Sequence, residues 1–171
     1  MEFVQSFMRF SFSDDSVFMI ESDPVVTQAQ GVKTCECIVL INEHVALIEA
    51  KSSSPRPENK ENFDVWIEGI KDKFSDSLSM FNKIKGKEFG ETAYNRIPIK
   101  LREMSIVPDH YVIYLIVHDN KLEWMIGIQN ALREAMRDVI DQWNLQDSNI
   151  KAINDVTAKE MHLIVEVLPR K

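Results

Sequence analysis

The chain has 171 residues, 44% of them apolar, with 27 acidic against 20 basic side chains and a net charge of −7. That length suits a single domain, residues 1–171, whose core needs no staples, and the acidic balance excludes a free-standing DNA binder with a basic field. The two cysteines, Cys35 and Cys37, are too few for a structural zinc and too close for an ordinary disulfide, and read as buried hydrophobes sharing one strand face in a reducing compartment.

The longest apolar run, residues 111–117, is too short to span a bilayer, and Glu2, Gln5 and Arg9 interrupt the N-terminal apolar residues where a leader would be continuous. The expectation is a soluble, cytoplasmic protein with no membrane partner.

Residues 3–12 fit two patterns: Phe3, Phe7 and Phe10 have helical spacing, whereas Met8, Phe10 and Phe12 alternate as in a strand. Asp14-Asp15-Ser16 reads as a turn, residues 17–21 as a strand, and Asp23-Pro24 as its stop. Residues 32–41 and 45–51 read as two strands joined by a turn at Asn42-Glu43, followed by a Ser/Pro-rich loop over residues 52–59.

Helical spacing then takes over across residues 62–85, with a stripe of Phe63, Trp66, Ile67, Ile70, Phe74, Leu78, Phe81 and Ile84. Lys71, Asp72, Lys73 and Asp76 fall off that stripe and are expected on a solvated face. The helix should stop at residues 86–90, with a polar connection over residues 91–108 and a short helix near residues 100–104. Residues 111–117 suit a strand buried on both faces. Residues 122–143 read as a second long helix buried along Met125, Ile128, Leu132, Met136, Val139 and Trp143; residues 151–153 and, more clearly, 162–168 read as strands. Strands joined through helices define an α/β fold with a mixed, partly parallel sheet flanked by helices.

The chemistry concentrates in the hairpin. With Asn42-Glu43 as turn residues, Ile41 faces His44, Leu40 faces Val45, Ile38 faces Leu47, Glu36 faces Glu49 and Thr34 faces Lys51. Alternation puts Glu49 and Lys51 on one face, and Glu36 joins them. Ile38, Leu40, Val45 and Leu47 share that face, so two opposed carboxylates sit at one end of an apolar surface. Such a pair needs a compensating charge, and a divalent cation and the Lys51 ammonium would both serve. Hard oxygen donors suit Mg²⁺ or Mn²⁺, with the Ala50 backbone carbonyl as a further ligand. The matching chemistry is metal-assisted phosphodiester hydrolysis, with Lys51 orienting or deprotonating the water. A Glu-x-Lys at a strand end also fits a solvated ion pair; the in-register acid, the loop and the long helix after it favour the site. Ser52 and Ser53, in the loop, are candidates for contacting a substrate phosphate, and a plain flexible loop is the other reading.

The segment Lys33-Thr-Cys-Glu36, with Ile48-Glu-Ala-Lys51, resembles the PD-(D/E)xK nuclease superfamily. That resemblance implies a restriction-endonuclease-like core, with Glu36 as the first acid and Glu49 and Lys51 as the second half-motif. It implies a nuclease acting on nucleic acid, most naturally DNA. Such members often carry an acid on an early helix, for which Glu21 is the candidate here, ahead of Glu2. The sequence departs from the pattern in having Glu36 for the usual Asp and Cys35 where the Pro stands. The acidic charge implies a protein partner or a homo-oligomer. Lys33-Thr-Cys-Glu36 and Ile48-Glu-Ala-Lys-Ser-Ser-Ser-Pro55 also resemble small bacterial proteins of defence loci. The competing expectation is a non-catalytic subunit of the same fold within a larger assembly. The four histidines, His44, His110, His118 and His162, have no metal-ligand spacing and are expected to be solvated or capping.

Overall fold

The structure is a computed structural model that describes residues 1–105 and 110–171; the last residues of the expected connection over 91–108 lie outside it. Two strands, β1 (Glu2–Gln5) and β2 (Met8–Ser11), form a hairpin whose tip, Ser6-Phe7, takes two positive φ angles of 50° and 63°. Alternation therefore wins over helical spacing in this segment. Strand β3 (Val17–Phe18) is shorter than expected. The chain leaves it for a 3-10 turn, Ile20–Ser22, so Glu21 stands on a turn and not on a strand. The fully buried Ile20 draws the chain over the core there. Asp23 then caps helix α1 (Pro24–Gln28), accepting from the Val25 amide at 2.9 Å and from the Arg96 guanidinium at 2.8 and 3.2 Å. A proline at the first helical position is a starting signal, which is why Asp23-Pro24 opens a helix as well as closing the strand.

Strands β4 (Cys37–Ile41) and β5 (His44–Lys51) pair antiparallel in the register read from the sequence, Ile41 with His44, Leu40 with Val45 and Ile38 with Leu47. Asn42 and Glu43 both have positive φ, 47° and 66°, the turn whose twist suits a two-residue hairpin. Helix α2 (Lys60–Lys85) follows, capped by Asn59 and closed at Gly86, then two short helices, α3 (Glu91–Arg96) and α4 (Ile99–Glu103). Strand β6 (Tyr111–Val117) pairs parallel to β5 and is buried almost throughout. The long helix expected over 122–143 is two pieces, α5 (Leu122–Ala135) and α6 (Arg137–Trp143), which meet at the fully buried Met136. Strand β7 (Ile150–Asn154) pairs parallel to β6, completing a mixed sheet of order β3-β4-β5-β6-β7.

The chain end differs most from expectation. Asn154 caps a helix, α7 (Asp155–Glu160), and only Glu166–Val167 forms a strand, β8, which pairs with β2 in a second sheet, β1-β2-β8. Leu163 and Ile164 are both buried beneath the main sheet, so this run is an apolar plug and not an alternating strand.

The main sheet thus has two covered faces. Ile38, Val45, Leu47, Ile113, Leu115 and Val117 pack against α2 and α5, while Val39, Ala46, Ile48 and Ile116 pack against Met8, Phe10, Ala158 and Leu163. Both helical crossovers cover the face that carries the odd-numbered residues of β5. This is an α/β fold with a five-stranded mixed sheet flanked by helices. Among the described residues no helix is long and apolar enough to cross a membrane.

Candidate active site

The regular β4–β5 ladder reaches Cys37 and Ile48, and one more bond, from the Glu36 amide to the Ile48 carbonyl at 3.0 Å, holds Glu36 beside Glu49. Beyond that the strands part. Residues 32–36 were expected to continue the strand and to set Thr34 opposite Lys51. Instead α2 takes their backbone: the Cys35 amide donates to Ser77 Oγ at 2.8 Å and the Lys33 amide to Asp76 Oδ2 at 2.9 Å. The same departure separates the two cysteines. Cys35 lies in the core under α2 and Cys37 in the core on the other face, so they do not share a strand face. Both are free and buried, and burial pushes the Cys35 thiol up to about 12, so it stays protonated.

Glu49 is fully buried. Its Oε1 lies 2.8 Å from Lys51 Nζ and 2.8 Å from Lys73 Nζ on α2, at angles outside hydrogen-bond geometry, and its Oε2 has no partner. Lys73 Nζ also lies 3.9 Å from Glu21 Oε1, so the 3-10 turn closes the group from a third side. Glu36 is 5% exposed. Burial pushes its carboxyl up to about 8; hydrogen bonding to Glu21 and the negative charges of Glu49 and Glu21 add to this, and Lys73 opposes it. Burial pulls the Lys73 ammonium down, yet its contacts with Glu49 outweigh this and hold it above its ordinary range.

The structure therefore gathers Glu21, Glu36, Glu49 and Lys51 at the open end of β4–β5. It adds Lys73, which sequence reasoning assigned to a solvated face. The side chain of Lys73 is only 19% exposed. The missed signal was its position, three residues after Ile70 and four before the buried Ser77, which extends the buried face by one turn. The Ala50 carbonyl lies at the same end and accepts the Ser6 hydroxyl at 3.0 Å, leaving a lone pair free. Glu2 lies on β1, in the second sheet.

Ser52 and Ser53 are exposed; the Ser52 carbonyl accepts from Arg170 Nη2 at 2.5 Å, and the neighbouring Ser54 hydroxyl accepts from Asn120 at 2.7 Å. His44 is solvated as expected, but His118 is buried, 3.9 Å from Asp155 and in ring contact with Phe7. Of the lysines at the end of α2, Lys85 donates to the carbonyls of Leu101 and Met104 at 2.7 and 2.6 Å and Lys87, just beyond it, pairs with Glu91 at 3.0 Å, so these two tie helices together, while Lys83 is exposed.

The donor chemistry fits a hard divalent cation. Glu49 Oε2 is buried without a partner, and the penalty on ionising Glu36 is what a nearby double positive charge removes. The arrangement itself is set for an ammonium: among the described residues no group of three or more acids, histidines or cysteines is placed to hold a metal ion. A cation at Glu36 and Glu49 requires Lys73 to withdraw. No protein-family model, curated protein or solved structure matches this chain.

Proposed function

We propose that the protein is a Mg²⁺- or Mn²⁺-dependent nuclease with a restriction-endonuclease-like core, hydrolysing phosphodiester bonds in DNA with a protein partner or as an oligomer. The reading rests on one observation: a buried Glu49 bridged to Lys51 and Lys73 beside a second buried acid, Glu36, at the open end of a hairpin. Glu36, Glu49 and the Ala50 carbonyl would hold the cation, with Glu21 at its edge. When bound there the ion supplies Lewis-acid activation of the phosphoryl oxygen and of a water. Lys51, anchored on Glu49 and 28% exposed, can hold that water in line and take or give its proton. Lys73, once released from Glu49, is the cation nearest the phosphate charge that builds up. The net charge of −7 repels a polyanion, so this chain alone binds DNA weakly, and a basic surface from a partner or a second copy would tighten the complex.

The test is cleavage of labelled DNA in Mn²⁺ by wild type and by Lys51→Ala. The variant loses one of the two ammonium groups on Glu49 and should unfold with about 1–3 kcal/mol less free energy, stay folded at the assay temperature, and lose roughly 10²- to 10⁴-fold in rate. Undiminished cleavage by Lys51→Ala would refute the assignment.

The pairing of Glu49 with two ammonium groups also supports a second reading, a non-catalytic subunit of the same fold whose buried acid is neutralised by lysines. Titration calorimetry with Mn²⁺ separates the two: binding lost in Glu49→Ala favours the enzyme, and no binding by wild type favours the subunit.

A further inference from the structure

The Lys73 ammonium stands between two acids of unequal burial. It lies 2.8 Å from Oε1 of the fully buried Glu49 and 3.9 Å from Oε1 of Glu21, whose side chain is 52% exposed. It also borders a cavity of about 230 Å³ that opens beside the acids, between the 3-10 turn, α1 and the stretch that leaves β4. Glu21 stands on the same wall, with Val26, Val32 and Thr34 around it. The volume is below the range of about 300–1,000 Å³ typical of whole small-molecule ligands, but it holds an ammonium group and several waters at roughly 30 Å³ each. Lys51 has no such choice. Glu49 is its one ion-pair partner among the described residues, and it does not border the cavity. A doubly charged ion on either oxygen of Glu49 comes within about 5 Å of Lys73 as it stands, where like charges repel. Lys73 carries its charge on a flexible four-carbon stem, and closing its gap to Glu21 takes a shift of about 1 Å. There it keeps a carboxylate partner, so leaving Glu49 does not strand a buried charge.

We propose that Lys73 is a built-in gate on the metal site, with two resting places. On Glu49 it holds the site closed; on Glu21, with its ammonium in the cavity, it leaves Glu49 free for the cation. The apparent affinity is then the intrinsic one scaled down by the fraction of molecules in which Lys73 sits on Glu21. The inference rests on the metal-site reading above. It gives Glu21, at the edge of that site, the role of accepting the displaced ammonium and not of holding the ion.

The experiment is titration calorimetry with Mn²⁺ on the full chain, at one pH, for wild type, Lys73→Met, Glu21→Gln and the double variant, each shown by its melting curve to be folded at the titration temperature. Lys73→Met abolishes the closed state and should tighten binding roughly tenfold. Glu21→Gln removes a half-exposed acceptor and should weaken binding roughly two- to fivefold. That loss should vanish in the Lys73→Met background, because Glu21 then has no ammonium to receive. Acylation of Lys73 by acetic anhydride, followed by mass spectrometry, should quicken when Mg²⁺ saturates the wild type, since the ammonium then stands in the open cavity. Equal or weaker Mn²⁺ binding by Lys73→Met, or an acylation rate indifferent to Mg²⁺, would overturn the gate while leaving the metal site in place. A Glu21→Gln loss that persists undiminished in the double variant would make Glu21 a ligand of the ion and overturn the proposal as stated. Absence of Mn²⁺ binding by wild type and Lys73→Met alike would remove the metal site, and with it both the nuclease reading and the gate.

Discussion

Replacing Glu36 with Gln should remove most of the pH dependence of folding near neutrality. The Glu36 carboxyl rises from 4.5 to about 8 on folding, chiefly through burial. Below about pH 4.5 both folded and unfolded chains hold its proton, and the group contributes no pH dependence. Between there and about pH 8 the unfolded chain has lost the proton and the folded chain keeps it, so each step up in pH favours unfolding. At ~1.4 kcal/mol per pH unit the full span is worth at most about 5 kcal/mol. Glu21 and Lys73 relax with it, which brings the expected loss to about 2–4 kcal/mol. Gln has nearly the same shape and carries no titrating proton. Urea denaturation in EDTA across this range should therefore show wild-type stability falling with pH and the Glu36→Gln curve nearly flat. Mn²⁺ should restore wild-type stability at the alkaline end and leave the variant unmoved, because cation and proton compete for the same carboxylate. Equal slopes in the two proteins, or wild-type stability that rises through the window, would refute the burial argument.

Lys73→Met takes one of two ammonium groups from a fully buried carboxylate; unfolding free energy should fall by about 1–3 kcal/mol, less than for an acid stripped of all partners. Mn²⁺ should bind this variant more tightly in calorimetry, since nothing then competes for Glu49, and weaker binding would mean that Lys73 assists the ion. Asp23→Ala loses a helix cap and a two-pronged contact to Arg96 at a buried position, and should cost about 2–4 kcal/mol by urea denaturation. A loss within about 0.5 kcal/mol, the size of ordinary surface changes, would show that α1 is held by packing alone.

The parts of the fold that could be read from sequence are those with a strong period or an unambiguous turn. The β4–β5 register followed from Asn42-Glu43 and from alternation over Ile38, Leu40, Val45 and Leu47. The stripe of α2 and the apolar run of β6 are long enough to exclude other structures. What escaped was decided by partners distant in sequence. Residues 162–168 are as apolar as a strand, but Asn154 starts a helix immediately after β7 and the chain must turn beneath the sheet. Residues 17–21 are as apolar as a strand, yet Asp23 meets an arginine 73 residues away and the chain bends to reach it.

The site divides along the same line, and α2 explains why. Glu36, Glu49 and Lys51 were legible because pleat and register alone bring them together. Lys73 was not, because a helix period places it beside the core stripe without saying what it faces. The spacing of Lys73, Asp76 and Ser77 puts all three on one side of α2. Asp76 and Ser77 capture the amides of Lys33 and Cys35, and in doing so draw that stretch away from β5. The ladder ends there because its next donor is spent on the helix. Lys73, one turn earlier, enters the gap so made and meets Glu49. One helix face thus opens the strands, lines the cavity at Thr34 and supplies the cation that any incoming metal ion must displace. A regular strand through residue 34 would have paired Thr34 with Lys51, left no cavity, and kept Lys73 in solvent.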